Sequence, residues 1–247
     1  MSADKLLADL LATGLNVVEE PGWKTRGNRW NVGGQPEGVM QHHTAPPNPY
    51  PIKALYPTKA LQYRIKCNMA THPDGTVYMV AYKACNYSSG PGMLDVLKNN
   101  VRKSIAPTHN ATKRGLKGGN HHFWNYENSH PGDGSPIPEV QLEAIIESTQ
   151  VVIYHFELDP EQIISHAEWT RRKIDPRWNG SNRTAIEQIR EGVDDMAILS
   201  PEAQKFWEDN YQKAKDVLTP TPGGMTNEDY LHTSVTHIRD SKEEDDE

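Results

Sequence analysis

The sequence predicts an α/β domain, with short apolar strand candidates interleaved with amphipathic helix candidates. Three observations carry this expectation. Residues 38–42 (Gly38-Val39-Met40-Gln41-His42) read as a buried strand ending in a polar cluster. His72-Pro73-Asp74-Gly75 is a strong turn signal between two strand candidates, residues 61–68 and 76–82. Residues 139–156 carry Leu142, Ile145, Ile146, Thr149 and Ile153 at steps of three or four, the clearest amphipathic helix of the chain.

The remaining elements follow from the same rules. Leu6, Leu7, Leu10 and Leu11 stand at helical spacing within residues 3–12, and Gly14 is a natural stop. Residues 21–34 read as loop, with Trp23 and Trp30 as apolar anchors. After the first strand, Thr44-Ala45-Pro46-Pro47-Asn48-Pro49 cannot continue a ladder, because proline has no N–H to donate. Residues 86–119 are polar and rich in Gly, Ser, Asn and Lys, and predict a long irregular excursion. Residues 122–128 form a strand candidate with aromatic residues at its centre, and Ile163-Ile164-Ser165 a short apolar one leading to His166. Helices are expected over 183–194 and 201–217. From Thr219 onward Pro, Gly and acidic residues dominate and predict little fixed structure.

Composition narrows the function classes. At 247 residues the chain can bury a core without disulfide staples. A net charge of -7, much of it in the terminal Glu243-Glu244-Asp245-Asp246-Glu247 run, provides no field to attract nucleic acid. Cys67 and Cys85 are too few for a disulfide framework and are expected as reduced, structural thiols. No apolar stretch approaches the roughly 18 residues that a membrane span requires. Met1-Ser2-Ala3-Asp4-Lys5 shows no basic segment followed by an apolar one. The expectation is a chain made in the cytoplasm without a signal peptide, and a monomer.

The chemistry concentrates in three places. His42-His43-Thr44-Ala45 ends one strand candidate, His166 ends another, and Lys173-Ile174-Asp175-Pro176 follows it. A hydrolytic zinc site uses three ligands of the His and carboxylate type and leaves a fourth position open. Ligands on neighbouring strand ends and a following loop can converge in that way. Successive residues of a strand face opposite sides, so at most one of His42 and His43 binds; the strand pattern alone does not choose between them.

Four segments, VMQHHTAP, QYRIKCNMATHPDGTVYMV, HHFWNYENSH and ISHAEWTRRKIDPRW, resemble in order the motifs of the amidase-2 family. That family includes amidase-type phage lysozymes, bacterial muramoyl-alanine amidases and animal peptidoglycan recognition proteins. The resemblance runs from about Gly22 to Trp178. It implies an α/β domain with a central mixed sheet of five or six strands and helices on both faces. It implies a catalytic domain over 22–199, with residues 1–21 a helical extension and 200–247 a C-terminal helix and acidic tail. It further implies one Zn²⁺ held by His42, His166 and Asp175. Lys173 matches a lysine that steadies the developing oxyanion, Glu127 a glutamate used as general base, and Tyr63 a tyrosine found in part of the family. His43 is then a supporting residue, and His121 and His122 line or pack against the cleft. For His155, in the long helix, a surface or capping place is expected.

The activity so implied is hydrolysis of the amide between N-acetylmuramic acid and L-alanine. The partner is peptidoglycan, both glycan strand and stem peptide, reached by a phage endolysin once the host membrane is opened. A non-catalytic wall-binding module and a zinc peptidase cutting within the stem peptide are the alternatives. Three departures stand out. Cys85-Asn86-Tyr87-Ser88-Ser89-Gly90 replaces an HAG-like segment, Asp175-Pro176-Arg177 replaces DPG, and Tyr63-Arg64-Ile65 replaces YHF. No role is assigned from the His that the first replaces, and neither of the other two removes a ligand.

Overall fold

The computed structural model describes residues 2–30, 34–56, 65–86, 88, 91–93, 116–170 and 173–197. Tyr63, Arg171, Arg172, and the helix and tail expected after residue 200 lie outside the described residues.

Helix α1 (Ala3–Ala12) begins where Ser2 accepts the Lys5 N–H at 3.2 Å, and the chain turns away through Gly14 at φ 82. Strand β1 (Val17–Glu19) follows; its Val-Val-Glu is too short to give a periodic signal, and the sequence did not predict it. Next come β2 (Gly38–His43), β3 (Met69–Thr71) and β4 (Val77–Met79). The excursion predicted as irregular contains two strands, β5 (Pro91–Met93) and β6 (Leu116–Gly118), which pair antiparallel. Strand β7 (Phe123–Asn128), helix α2 (Glu139–His155), strand β8 (Ile163–Ser165), the single-turn helix α3 (His166–Trp169) and helix α4 (Asn182–Ala197) complete the described residues.

The main sheet has six strands in the order β1-β4-β3-β7-β2-β8. Its β3–β4 pair is antiparallel and its other pairs are parallel, so the expected mixed sheet is present. The His72–Gly75 turn joins β3 to β4 as predicted; Gly75 sits at φ 82, and Asp74 accepts the Thr76 N–H at 3.0 Å. Residues 65–68 carry no strand, in contrast to the prediction. Asn68 ends the ladder: its carbonyl accepts from both Val80 and Ala81 at 2.8 and 3.1 Å, and its side-chain amide donates to the carbonyls of Ala81 and Lys83. Two residues opposite one break regular pairing, as at a β-bulge.

Strand alternation divides the molecule into two faces. Val39 of β2 and Trp124 and Tyr126 of β7 join the main core, with Leu6, Leu7 and Leu10 of α1, Ile145 and Val152 of α2, and Ile186 and Ile189 of α4. Met40 and Phe123 face the other way, into a small cluster with Ile164 and Trp169 of α3. Helices therefore lie on both faces, with three long ones on one side and a single turn on the other. The buried side of α2 includes Gln141, Ser148 and Thr149, and Gln41 donates to Thr149 across the interface at 3.0 Å. His155 is not a surface residue. It is 1% exposed, with Tyr82 3.2 Å from its Nε2 and Asp9 of α1 3.7 Å from its Nδ1. A helix whose partner layer includes another helix has no free face there.

Two predictions follow from this packing. Leu10 is 0% exposed, so Leu10→Ala should lower the unfolding free energy by about 2–5 kcal/mol in denaturant titration; a loss well under 1 kcal/mol would show that α1 is only a loose appendage. Cys67 and Cys85 are both free and fully buried, and burial pushes both thiols well above their ordinary value. A thiol-alkylating reagent should label neither in the folded protein and both after unfolding, counted by mass.

Candidate metal centre and active site

Strands β2, β7 and β8 are adjacent and parallel, so their C-terminal ends lie side by side. In open α/β sheets that edge is where ligands bind. His42 stands there on β2, directly opposite Glu127 of β7, and His166 follows β8. His166 opens α3 instead of ending the strand. Its place is set by a capping box: Ser165 accepts the Glu168 N–H at 3.1 Å, and Glu168 accepts the Ser165 N–H at 2.8 Å. Arg190 of α4 grips the Glu168 carboxylate with two nitrogens, at 2.9 and 2.8 Å. The helix layer thus reaches through the sheet edge to hold the turn that presents His166. Asp175 arrives on the loop beyond, its carbonyl accepting the Ala167 N–H at 3.0 Å.

These side chains meet. Asp175 Oδ2 lies 2.8 Å from His42 Nδ1 and 3.1 Å from His166 Nδ1, and the two imidazole rings stand nearly perpendicular, 4.6 Å apart at their centroids. All three residues are buried, and the candidate ligand atoms lie within 4.8 Å of one another. Ligand atoms about 2.0–2.1 Å from a tetrahedral Zn²⁺ are separated by roughly 3.3 Å, close to the two contacts that Asp175 makes with the imidazoles. The donor set, two imidazoles and a carboxylate, is that of hydrolytic zinc sites. The residues fit the ion.

The second His of the pair is excluded by its direction. His43 points to the opposite face, where its Nδ1 accepts the Arg177 N–H at 3.0 Å. Its ring lies against Gly132, where a Cβ would come within 2.1 Å of His43 Nε2; that glycine, at φ 75, has no room for a side chain.

The electrostatics of the trio follow from burial and pairing. Burial lowers the proton affinity of His166, pushing its pKa down to about 4 against the hydrogen bond from Asp175. Burial acts on His42 in the same direction, but the hydrogen bond and charge of Asp175 outweigh it and leave this imidazole above its ordinary value. Burial raises Asp175, and the hydrogen bonds and charges of the two histidines overcome that and hold its carboxyl well below the usual range. Asp175 is therefore ionised and His166 neutral at pH 7, the forms in which both can ligate.

Glu127 is 1% exposed, and neither carboxylate oxygen has a hydrogen-bond partner among the described residues. Burial pushes its pKa up to about 8, with His42 pulling it down and Asp175 adding to the rise. A buried carboxylate without partners is costly and calls for a reason; a cation or water at the neighbouring trio supplies one. Lys173 is half-buried on the loop before Asp175, close enough for its charge to lower the proton affinity of Glu127, His43 and His166. Glu127 thus stands at the trio beside His42 on the neighbouring strand, and Lys173 stands two residues before Asp175. His121 and His122 stand away from it: they precede β7, at the far end of the strand from Glu127. His122 pairs with Glu37, and His121 Nδ1 lies 2.9 Å from the Arg29 carbonyl oxygen.

Sequence reasoning missed two supports of the site. The Ser165-x-x-Glu168 capping box was legible as a motif. Asn125, whose Oδ1 lies 3.1 Å from His42 Nε2, had no sequence signal at all.

No curated protein sequence matches the chain. Among solved structures it is similar to the endolysin N-acetylmuramoyl-L-alanine amidase LysCS from Clostridium intestinale URNW, at 13% identity over 72% of this chain and 95% of that one, with a TM-score of 0.47. It is also similar to the N-acetylmuramoyl-L-alanine amidase LysC from the same organism, at 15% identity over 69% and 94%, with a TM-score of 0.41. A Drosophila PGRP-LB mutant in complex with tracheal cytotoxin gives 11% identity over 68% and 92%, with a TM-score of 0.40. The sequence profile of the amidase-2 family, described as N-acetylmuramoyl-L-alanine amidase, matches residues 32–178, more than half of the chain and the stretch that contains His42, Glu127, His166, Lys173 and Asp175; the chain belongs to this family.

Proposed function

We propose that the protein is a zinc-dependent N-acetylmuramoyl-L-alanine amidase that cleaves the stem peptide from the glycan strand of bacterial peptidoglycan, with a place in phage-driven lysis of the host wall. The observation that carries this reading is the convergence of His42, His166 and Asp175 beside a buried, unpartnered Glu127 in a member of an amidase family. The complete trio and the orphaned carboxylate together favour a reaction over wall binding alone.

His42 Nδ1, His166 Nδ1 and an oxygen of Asp175 would hold the ion. Bound there, Zn²⁺ supplies Lewis acidity for the amide carbonyl and lowers the pKa of a water at the site toward ~7. The protein's own groups do the rest. Glu127 takes the proton released by the attacking water and delivers it to the departing amine nitrogen. The positive charge of an ion held by the trio would draw down the burial-raised proton affinity of Glu127, freeing its carboxylate for the first transfer while leaving it basic enough to hold the proton until the second. The positive charge of Lys173 favours the anionic tetrahedral adduct over the neutral amide. Burial of the trio keeps the surroundings at low dielectric, where these charges act strongly.

Metal analysis of the purified protein should find one zinc per chain, and His166→Ala should lose both the metal and the release of peptides from purified walls. Mass analysis should show intact peptides beginning with L-alanine; fragments cut within the peptide would replace the amidase reading with a peptidase one. Glu127→Gln separates chemistry from binding. It should retain zinc and wall binding while turnover falls by about 10²–10⁴-fold. Unchanged turnover would remove Glu127 from the mechanism.

A further inference from the structure

Asn125 is 0% exposed and lies on the same face of β7 as Glu127, one step back along the strand. Its side chain has only one possible orientation. The Nδ2 donates to the Phe123 carbonyl at 2.8 Å, so the amide nitrogen faces an acceptor and Oδ1 must face the other way. There it meets His42 Nε2 at 3.1 Å and the hydroxyl of Ser88, both of which donate to it. The residue is pinned from behind as well: its backbone N–H donates to Asn68 Oδ1 at 2.9 Å, and its carbonyl accepts the Asn68 N–H at 2.9 Å. Asn68 is in turn held by the carbonyls of Ala81 and Lys83.

A carbonyl oxygen cannot donate. His42 Nε2 therefore keeps a proton, and Nδ1, 2.8 Å from the Asp175 carboxylate, is the nitrogen whose proton an ion held by the trio would displace, freeing its lone pair. We propose that Asn125 is the positioning residue of the metal centre: it selects the tautomer of His42 and the angle of its ring, with Ser88 saturating the second lone pair of the amide oxygen. Such outer partners typically change metal affinity by about 10–100-fold, because they orient a ligand and raise its basicity. The assignment rests on the zinc reading above and extends it to residues that touch neither ion nor substrate. Ser88 falls in the segment where this chain departs from the HAG-like pattern of its relatives, so the departure itself contributes to the support of the site.

The test compares full-length wild type with Asn125→Leu, which keeps the branched skeleton and deletes the acceptor, and Asn125→Asp, which keeps the acceptor and adds charge. Zinc affinity is read by competition with a chromophoric chelator. The tautomer of His42 in the zinc-loaded protein is read from long-range ¹H–¹⁵N correlation spectra. Wild type should show a solvent-protected His42 Nε2–H; the Leu variant should bind zinc about 10–100-fold more weakly, and the Asp variant should hold zinc and shift that proton further downfield. A Leu variant that binds zinc as tightly as wild type, or a wild-type His42 with its proton on Nδ1, overturns the proposal while leaving the metal site intact. If the Leu variant does not fold, the Asp variant decides: an unshifted Nε2–H there overturns the proposal. A wild-type protein that takes up no zinc defeats the zinc reading, and this inference with it.

Discussion

The parallel pairing of β2 with β7 sets the terms for everything chemical in this molecule. Because the two strands run in register from Gly38 opposite Phe123 to His43 opposite Asn128, their alternations are locked together. Val39, Trp124 and Tyr126 turn toward the three long helices, while Met40, His42, Phe123, Asn125 and Glu127 turn away from them. A slip of one residue on β2 would turn His42 into the apolar core, and one on β7 would do the same to Glu127. The apolar face secures the register by hydrophobic burial, and the register in turn aims the polar face.

That polar face is expensive to maintain. His42, Asn125, Glu127 and His166 are all buried almost completely, away from the water that would stabilise their charges and hydrogen bonds. The structure offsets most of this cost with partners: Asn68 and Ser88 for Asn125, Asn125 and Asp175 for His42, and Asp175 for His166. Glu127 is left over, together with the Nε2 of His166. In an otherwise satisfied network the unsatisfied atoms mark where something else is meant to sit. Stability here has been subordinated to a site.

The helix layer contributes to that site at a distance. Arg190 of α4 binds both the carbonyl of Ile163 and the carboxylate of Glu168, and Glu168 completes the cap that starts α3 at His166. Packing of α4 on the core is therefore coupled mechanically to the direction of His166. On the other side of the loop, the ring of His43 fills the space left by Gly132 and accepts the N–H of Arg177, so the second histidine of the pair steadies the loop that follows Asp175.

The sequence by itself determined the elements whose signals are local: the amphipathic periods of α1 and α2, the turn at His72–Gly75, and the apolar runs of β2, β7 and β8. It also held the order of motifs that singled out His42, His166 and Asp175. Signals of that kind end where distance begins. His42 and Asp175 are 133 positions apart along the chain, and their meeting depends on which strands lie side by side, which no periodicity encodes. For the same reason the three-residue strands β1, β5 and β6 gave no warning, and β3 begins just past Asn68. His155 was misplaced because helical spacing cannot report a second helix packed over it. Asn125 looks like any polar residue in an aromatic strand until His42 arrives beside it. Burial, ring direction and the choice of proton on a histidine are properties of neighbours, and only the tertiary structure decides who those neighbours are.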